Sequence, residues 1–366
     1  MSGSDQPRAT LQDVARLAGV SRSTASLAFS GAGPVSESTR ARVMAASAEL
    51  GYSGPDPRAR SLRQGRSGVV GIVFDEGLLS AFRDPVNVAT LDGIATGLGD
   101  GSNGLLLLTE TGAVESSIAS AAIDAAVLMG CSPVFDRVVL ELRRRGVPVV
   151  SIEGGPAGRS TAAPGAPADA AGPGLVDVAL DNVEASEALA RHLHGLGHRR
   201  VGVLTLATDA ARETGPVTPE REAGMTTAVT ADRLRGVRRV FPDAVAVSSG
   251  FNSVEEAVRG ARLLLAQGGG RPTAVLAQSD LLAVGVLQVA AELGLRVPED
   301  LSLTGFDGVP IEGLAGYDLT TMVQPAGEKG REAGRAVRAL IAGEDVSSVV
   351  FHCEFHLGAT TAPPPA

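Results

Sequence analysis

Tryptophan is absent from the 366-residue chain, and aromatic residues of all kinds make up 3% of it. A site that binds by ring stacking therefore has few side chains to draw on. The two cysteines, Cys131 and Cys353, are too few for a disulfide framework or a four-thiolate metal site, and both are expected to act as small buried hydrophobes. No apolar run reaches the roughly 18 residues of a spanning helix. The first ten residues, MSGSDQPRAT, hold no signal-peptide segment, so the expectation is a cytoplasmic chain with no membrane partner. Lysine is nearly missing too: Lys329 is the single one. What is plentiful is hydrophobic surface, at 44%, and the length exceeds what one compact core holds, so two or three domains are expected.

A net charge of −9 lacks the basic excess that attracts phosphates. Divided at Ser67, the chain reads differently. Residues 1–67 carry nine arginines and five acids, +4, whereas the rest carries 23 basic residues against 36 acidic ones, −13. A basic head on an acidic body is the first functional clue.

The head reads as three short helices. Thr10 and Asp13 have capping-box spacing, and Val14 and Ala18 then share an apolar face. Gly19 breaks the helix, and Ser21 is placed to cap a second one over 21–29 whose inward residues are Ala25, Ala28 and Phe29. Ser36 caps a third, with Val43, Ala46 and Leu50 inward and Gly51 as its end. Two helices across a glycine turn, with Arg22 and Ser23 exposed at the start of the second, fit a helix-turn-helix that enters the major groove. An ordinary three-helix bundle that binds protein is the alternative on spacing alone.

The string TLQDVARLAGVSRSTASLAFSGAGPVSESTRARVMAASAELGY, from Thr10 to Tyr52, closely resembles the DNA-binding head of the lactose-repressor (LacI) family of bacterial transcription regulators. The resemblance assigns Thr10, Ser21, Thr24, Ser26 and Ser30 to phosphate or backbone contacts, and Leu11, Arg22, Ser23 and Leu27 to the neighbourhood of base edges. Family members often carry Arg where this chain has Leu27. Leucine donates no hydrogen bond, and a good bidentate pair is worth roughly 1–3 kcal/mol of discrimination. Arg22 is then expected to supply the main polar readout, on a half-site that differs from the common one at the Leu27 base.

Between Tyr52 and Gly65 lies SGPDPRARSLRQG, with Arg66 beyond it as the fourth arginine of the region. Pro57 can open a short helix here and Gly65 close it. So short a helix is marginal alone in water. The resemblance, through RSLR-x-GRS, implies a hinge that folds on DNA, with Ala59 and Leu62 at the minor groove and Leu62 wedging a base step. A flexible tether is the alternative. The linker is one residue longer than usual in the family.

From Gly68 onward short β runs alternate with helical stretches. Strands are read at 68–74, 104–109, 125–130, 147–152, 199–206, 273–278 and 301–306, and helices at 88–98, 135–145, 186–196, 254–267 and 281–293. Such alternation means parallel sheets covered on both faces. The expected fold is an all-α helix-turn-helix head on an α/β core of two doubly wound parallel-sheet lobes. The expected division is a head over 1–52, a hinge over 53–67 and a core over 68–366, with lobe one about 68–181 and 325–353 and lobe two about 182–324 and 354–366.

Ligands in such folds bind beyond the carboxyl ends of the strands, which here include Asp75, Met129 and Ser279. Over 68–361 the body also resembles the periplasmic sugar-binding fold of the LacI-family core, through LGHRRVGVL, R-x-x-G, PTAVLAQSDLLAVG, VPEDLSLTGFDG and LTTMVQP. That resemblance implies Arg233, Asp307 and Gln324 as polar contacts to an effector, most simply a sugar. Ser279-Asp280 replaces the family's Asn-Asp, and Asp84-Pro-Val-Asn87 replaces Asn-Pro-Phe-Phe after an insertion within EGLLSAFR. Stacking is left to Phe74, Phe82 or Phe306. A nucleoside or a small acid, met by Arg83 or Arg233, stays open as an alternative. The stretch 154–174 is read as a loop and 208–230 as an irregular segment able to act as a lid.

No G-x-S-x-G, G-x-x-x-x-G-K-[ST] or G-x-G-x-x-G pattern supports an enzyme. His192 and His194, two apart on a helix, point away from each other, and His198 is read as favouring the helix C-terminal dipole. No cofactor or metal is expected. The reading is a dimeric regulator of palindromic operator DNA, a repressor by type, modulated by a small molecule. The alternatives are a regulator that takes no ligand, and a soluble sugar-binding protein or sugar-acting enzyme with a vestigial head. The chain ends without the leucine-heptad tail that makes the lactose repressor tetrameric.

Overall fold

The computed structural model describes residues 9–30, 33–54, 65–99, 103–110, 117–130, 132–154, 175–266 and 270–365. The chain forms two compact units, Met1–Gly68 and Val69–Ala366. In the first, α1 (Leu11–Leu17), α2 (Arg22–Ser30) and α3 (Glu37–Glu49) follow the expected caps. Thr10 and Asp13 close a reciprocal capping box, and Ser36 accepts from the Thr39 amide at 3.3 Å. Gly19 turns the chain at a φ of +64°, which only glycine adopts without cost. Val14, Ala15, Ala18, Ala25, Ala28, Val43 and Ala46 fill the centre. Leu50 departs from expectation: it caps α3 from outside and is exposed, and Ser47 takes the inward place, donating to the Tyr52 carbonyl.

The second unit holds two parallel-rich sheets. Among the described residues the first runs β12-β5-β4-β3-β1-β2, with β1 Val69–Phe74, β2 Gly104–Thr109, β3 Ala125–Met129, β4 Val149–Ile152, β5 Leu175–Leu180 and β12 Val349–Phe351. The second runs β10-β9-β6-β8-β7, with β6 Val201–Thr205, β7 Gly215–Pro216, β8 Val245–Ser248, β9 Ala274–Ala277 and β10 Ser302–Thr304. A short antiparallel pair joins β11 (Thr321–Val323) to β13 (Glu354–His356).

Each sheet is covered on both faces, because alternate strand residues face opposite ways. Val70, Ile72 and Phe74 of β1 pack with Ile94 and Leu98 of the helix Pro85–Leu98 and with Ala333 and Val337 of the helix Ala326–Ala342. Val73 turns to Phe135, Val138 and Leu142 of the helix Val134–Arg144. The second sheet is sandwiched likewise between the helices Asn182–Gly195 and Ala228–Arg238 on one side and Val254–Leu265 and Asp280–Glu292 on the other.

The helices Pro85–Leu98 and Ala326–Ala342 meet backbone to backbone. A Cβ on Gly93 would stand 2.1 Å from the Gly327 carbonyl, and one on Gly330 would stand 2.1 Å from that of Thr90. Gly97 and Gly334 repeat the arrangement one turn on. Glycines lower helix propensity, so this pair is held by packing, and it carries Asp84, Asn87 and Lys329 into the interior.

Several elements were not anticipated: β5, β8, the helix Ala326–Ala342 and the closing strands β11–β13. The segment read as an irregular lid instead contains β7, the helix Pro219–Ala223 and the start of Ala228–Arg238. Most of 154–174, all but Gly154, lies outside the described residues.

Candidate DNA-reading face and effector cavity

In the head, the Ser21 hydroxyl accepts from the Thr24 amide at 3.1 Å and meets the Thr24 hydroxyl at 2.9 Å. This cap leaves Ser21, Arg22 and Ser23 exposed together at the first turn of α2, with no acid in that turn. Free N–H groups and an arginine there form an anion-receptive end. Thr24, Ser26 and Leu27 are half-buried, and Leu27 lies against the turn at Gly33, where an added Cβ would come within 3.0 Å of it. The Thr10 hydroxyl is exposed but engaged with Asp13 at 2.6 Å, and Ser30 donates to the Leu27 carbonyl at 3.3 Å. Leu11 is half-buried in the same small core. Ala59 and Leu62 lie outside the described residues.

In the body, the strand ends of both sheets converge on a cavity of about 150 Å³. The strand-end residues Met129, Ser279 and Asp307 line it together with Arg233 and Gln324. Arg233 reaches it because Gly236, one turn on, lets its helix touch the helix Asn182–Gly195: a Cβ there would stand 2.2 Å from the Val183 carbonyl. The Arg233 Nε then donates to Asn182 Oδ1 at 2.8 Å, and another nitrogen donates to the Gln278 carbonyl. Its guanidinium lies 3.6 Å over the Phe306 ring, so that ring is spent on a cation.

Five of the lining groups close a ring. Arg233 stands 3.8 Å from Asp307 and 3.8 Å from Glu153. Glu153 accepts from Lys329, Lys329 also donates to Gln324 Oε1, and Gln324 Nε2 donates to Asp307 Oδ1 at 2.6 Å. Burial pushes the Asp307 carboxyl well up despite Arg233 beside it. Burial acts the same way on Glu153, but the charges of Lys329 and Arg233 outweigh it and hold that carboxyl below its ordinary value.

Two expected contacts lie elsewhere. Phe74 fills the core as the last residue of β1, so Asp75 points past the cavity, where Arg212 donates to its carbonyl at 3.1 Å and stands 3.6 Å from its carboxylate. The inserted turn Leu78–Ala81 leaves Arg83 exposed, away from the lining. Ser279 lines the wall, yet its hydroxyl donates to Asn252 at 2.6 Å and caps the helix Asp280–Glu292. None of the three phenylalanines considered for stacking lines the cavity: Phe74 and Phe306 are buried and Phe82 is exposed. Glu153, Lys329, Asp84, Asn87 and Asn252 were missed as lining groups. A solitary lysine was the one signal that could have found Lys329.

Asn252 Nδ2 donates to Asp84 Oδ2 at 2.9 Å, and with Arg212–Asp75 this ties the two sheet systems across the cavity mouth. Burial, with Asp75 and Asp84 nearby, pushes Glu76 up to about 7. A wider, shallow groove of about 770 Å³ runs along 308–319, but its buried acid, Asp280, is already held by the Gly308 and Val309 amides and Thr321. His198 is no dipole partner. It is fully buried, bonded to Thr273, Ser302 and the Ala362 carbonyl, and burial lowers its pKa. Cys353 is half-buried with its thiol pushed up by burial, and Cys131 lies outside the described residues.

The head over residues 10–54 matches the family described as bacterial regulatory proteins, lacI family, and residues 190–361 match the periplasmic binding protein-like domain. The HTH-type transcriptional regulator IpsA of Corynebacterium glutamicum is 34% identical over 376 aligned positions, 99% of each chain. A solved complex of the transcriptional regulator CelR with cellobiose aligns at a TM-score of 0.62 and 25% identity over 96% of this chain and 100% of that one. The lac repressor dimer bound to operator and an anti-inducer aligns at 0.71 over 97% and 99%, and at 23% identity it shows the fold. The chain belongs to the LacI family of bacterial transcription regulators. It is a DNA-binding transcriptional regulator, and the relatives it matches are regulators rather than enzymes. No helix among the described residues is long and apolar enough to cross a membrane.

Proposed function

We propose that the chain represses transcription as a dimer on a palindromic operator and that a small hydroxyl-rich molecule in the cavity shifts its DNA affinity. The ring of buried polar groups around the cavity carries this reading. Carboxylates accept from hydroxyls, and arginine, lysine and amide groups donate to them. A site with both suits a sugar, in keeping with the cellobiose complex of CelR. In the head, Arg22 and Ser23 read base edges, Ser21, Thr24, Ser26, Ser30 and Thr10 meet the backbone, and Leu11 and Leu27 supply apolar contact. Two hinges, one per subunit, place Ala59 and Leu62 at the operator centre. Residues 1–52, 53–67 and 68–366 are then head, hinge and core, in a cytoplasmic protein. Coupling between effector and DNA is expected at about 1–3 kcal/mol.

Selection of sites from random DNA, followed by sedimentation of the complex, tests this. A palindrome with half-sites about one turn apart, bound by two chains, is expected. Monomers on a non-repeated site, or the half-site common in the family at the Leu27 base, would contradict it.

A further inference from the structure

We infer that Arg212 and Asn252 form a gate with Asp75 and Asp84 that holds the cavity mouth shut and controls whether small molecules reach the interior, whichever molecule the cavity takes. The two acids stand at either end of the inserted segment, Asp75 directly after β1 and Asp84 as the cap of the helix Pro85–Leu98. Both partners come from the opposite sheet system. Arg212 lies between β6 and β7, and Asn252 between β8 and the helix Val254–Leu265. The inner bond, from Asn252 to Asp84, is part of the cavity wall, whereas Arg212 and Asp75 meet outside the lining. Arg83, in the same inserted segment, also attracts Glu255 of the opposite helix.

Each partner is braced by its own sheet system. Arg212 holds a φ of +52°, a conformation that costs a non-glycine residue and persists where the surroundings impose it. They do so here: its carbonyl packs on Gly250, where an added Cβ would collide with it. The Gly250 amide donates to Thr214 Oγ1 at 2.9 Å, Thr214 donates to Glu256, and the guanidinium lies 5.2 Å from the Phe251 ring centre. On the other side, the Asp75 carboxylate packs on Gly130, where a Cβ would stand 2.6 Å from Oδ1. Asp84 accepts from the Val86 amide at 2.9 Å, and Ser279, by donating to Asn252 Oδ1, turns the amide donor of Asn252 toward Asp84. Groups held this way lose little freedom when they meet. The side chains of Arg212 and Asp75 are 24% and 15% exposed, so water screens the pair less than one on an open surface. The hydrophobic clusters that hold the sheets contain none of the four gate residues, so the gate can part while both sheets stay packed.

Lys329 reports the state of the gate, being the single lysine of the chain, part of the cavity lining and 1% exposed in its side chain. The test is acetylation of the full chain by N-succinimidyl acetate, followed at Lys329 by mass spectrometry with the N-terminal amine as internal standard. In the parent, Lys329 is expected to react at least about a hundredfold more slowly than in the urea-unfolded chain. Arg212→Met, Asp75→Asn and Asn252→Ala should each speed it by at least about fivefold. Joining the first two should add less than about twofold to the faster of them, because residues that act as a pair are not additive. Leu142→Ala, a truncation in the core behind the first sheet, controls for general loss of stability and should leave Lys329 slower than any gate variant does. Rapid acetylation in the parent, gate variants within about twofold of it, or equal acceleration by Leu142→Ala would overturn the gate. Each of those results leaves the effector reading standing, since none of them measures a ligand.

Discussion

The buried hydrophobic side chains at the centre of the head are all valine or alanine, whereas the body buries Phe74, Ile72, Leu204 and Phe306 between its sheets and helices. The two regions also use polar groups in opposite ways. In the head, Ser47 apart, they stand outside, as caps and as the exposed Ser21–Ser23 turn. In the body they are enclosed and bonded to one another around a cavity. A surface that must meet a polyanion needs accessible charge. A cavity that must discriminate small molecules needs desolvated, preorganised charge instead.

The largest effect expected from breaking this contrast is in the glycine contact of the body. Gly93→Ala drives a Cβ into the Gly327 carbonyl and should cost more than about 3 kcal/mol. Gly19→Ala in the head meets nothing within 4 Å, and its φ of +64° limits the cost to about 1–2 kcal/mol. Urea denaturation measures both, and equal losses would mean that the Gly93 contact relaxes around the added methyl.

Next in size, Arg22→Ala should lower operator affinity by about 1–3 kcal/mol while leaving the melting of the body and its ligand binding unchanged. Titrations on the selected site and on one altered at a single base separate loss of readout from loss of general affinity. Ser21→Ala removes the α2 cap and should cost the head about 1 kcal/mol. Loss of helical signal at a lower temperature would report it, and an unchanged melting curve would mean that the cap adds nothing.

The smallest effect concerns pH. Folding raises Glu76 from 4.5 to about 7. The folded chain therefore binds this proton more tightly, and the body should lose stability as pH rises from about 4.5 through about 7, then level off. Glu76 is only half-buried, so solvent softens the slope. Glu76→Gln should flatten that part of the stability curve, and a slope unchanged in the variant would assign it to other groups.

The contrast also explains what the sequence disclosed. The head's caps act within three or four residues of the helix they start, so Thr10, Ser21 and Ser36 could be read directly. The main strands were visible as apolar runs bounded by glycine and polar turns. The helix Ala326–Ala342 was hidden by its own glycines, which read as helix breakers until a second glycine-bearing helix is seen against them. The cavity was half legible. Arg233, Asp307 and Gln324 sit in motifs, but Glu153 and Lys329 are 176 residues apart and meet only through tertiary packing. Asp75 lies outside the cavity lining because the end of a strand does not reveal which neighbour turns inward, and Arg83 does so because it follows an insertion whose path the sequence does not give.

A titration of the full chain on its selected operator and on a scrambled duplex, between about 50 and 200 mM salt, tests the central claim that the basic head, and not the acidic body, reads DNA. The account predicts tighter binding to the operator at every salt and affinity that falls steeply as salt rises. Equal affinity for the two duplexes, or binding that salt leaves unchanged, would contradict it.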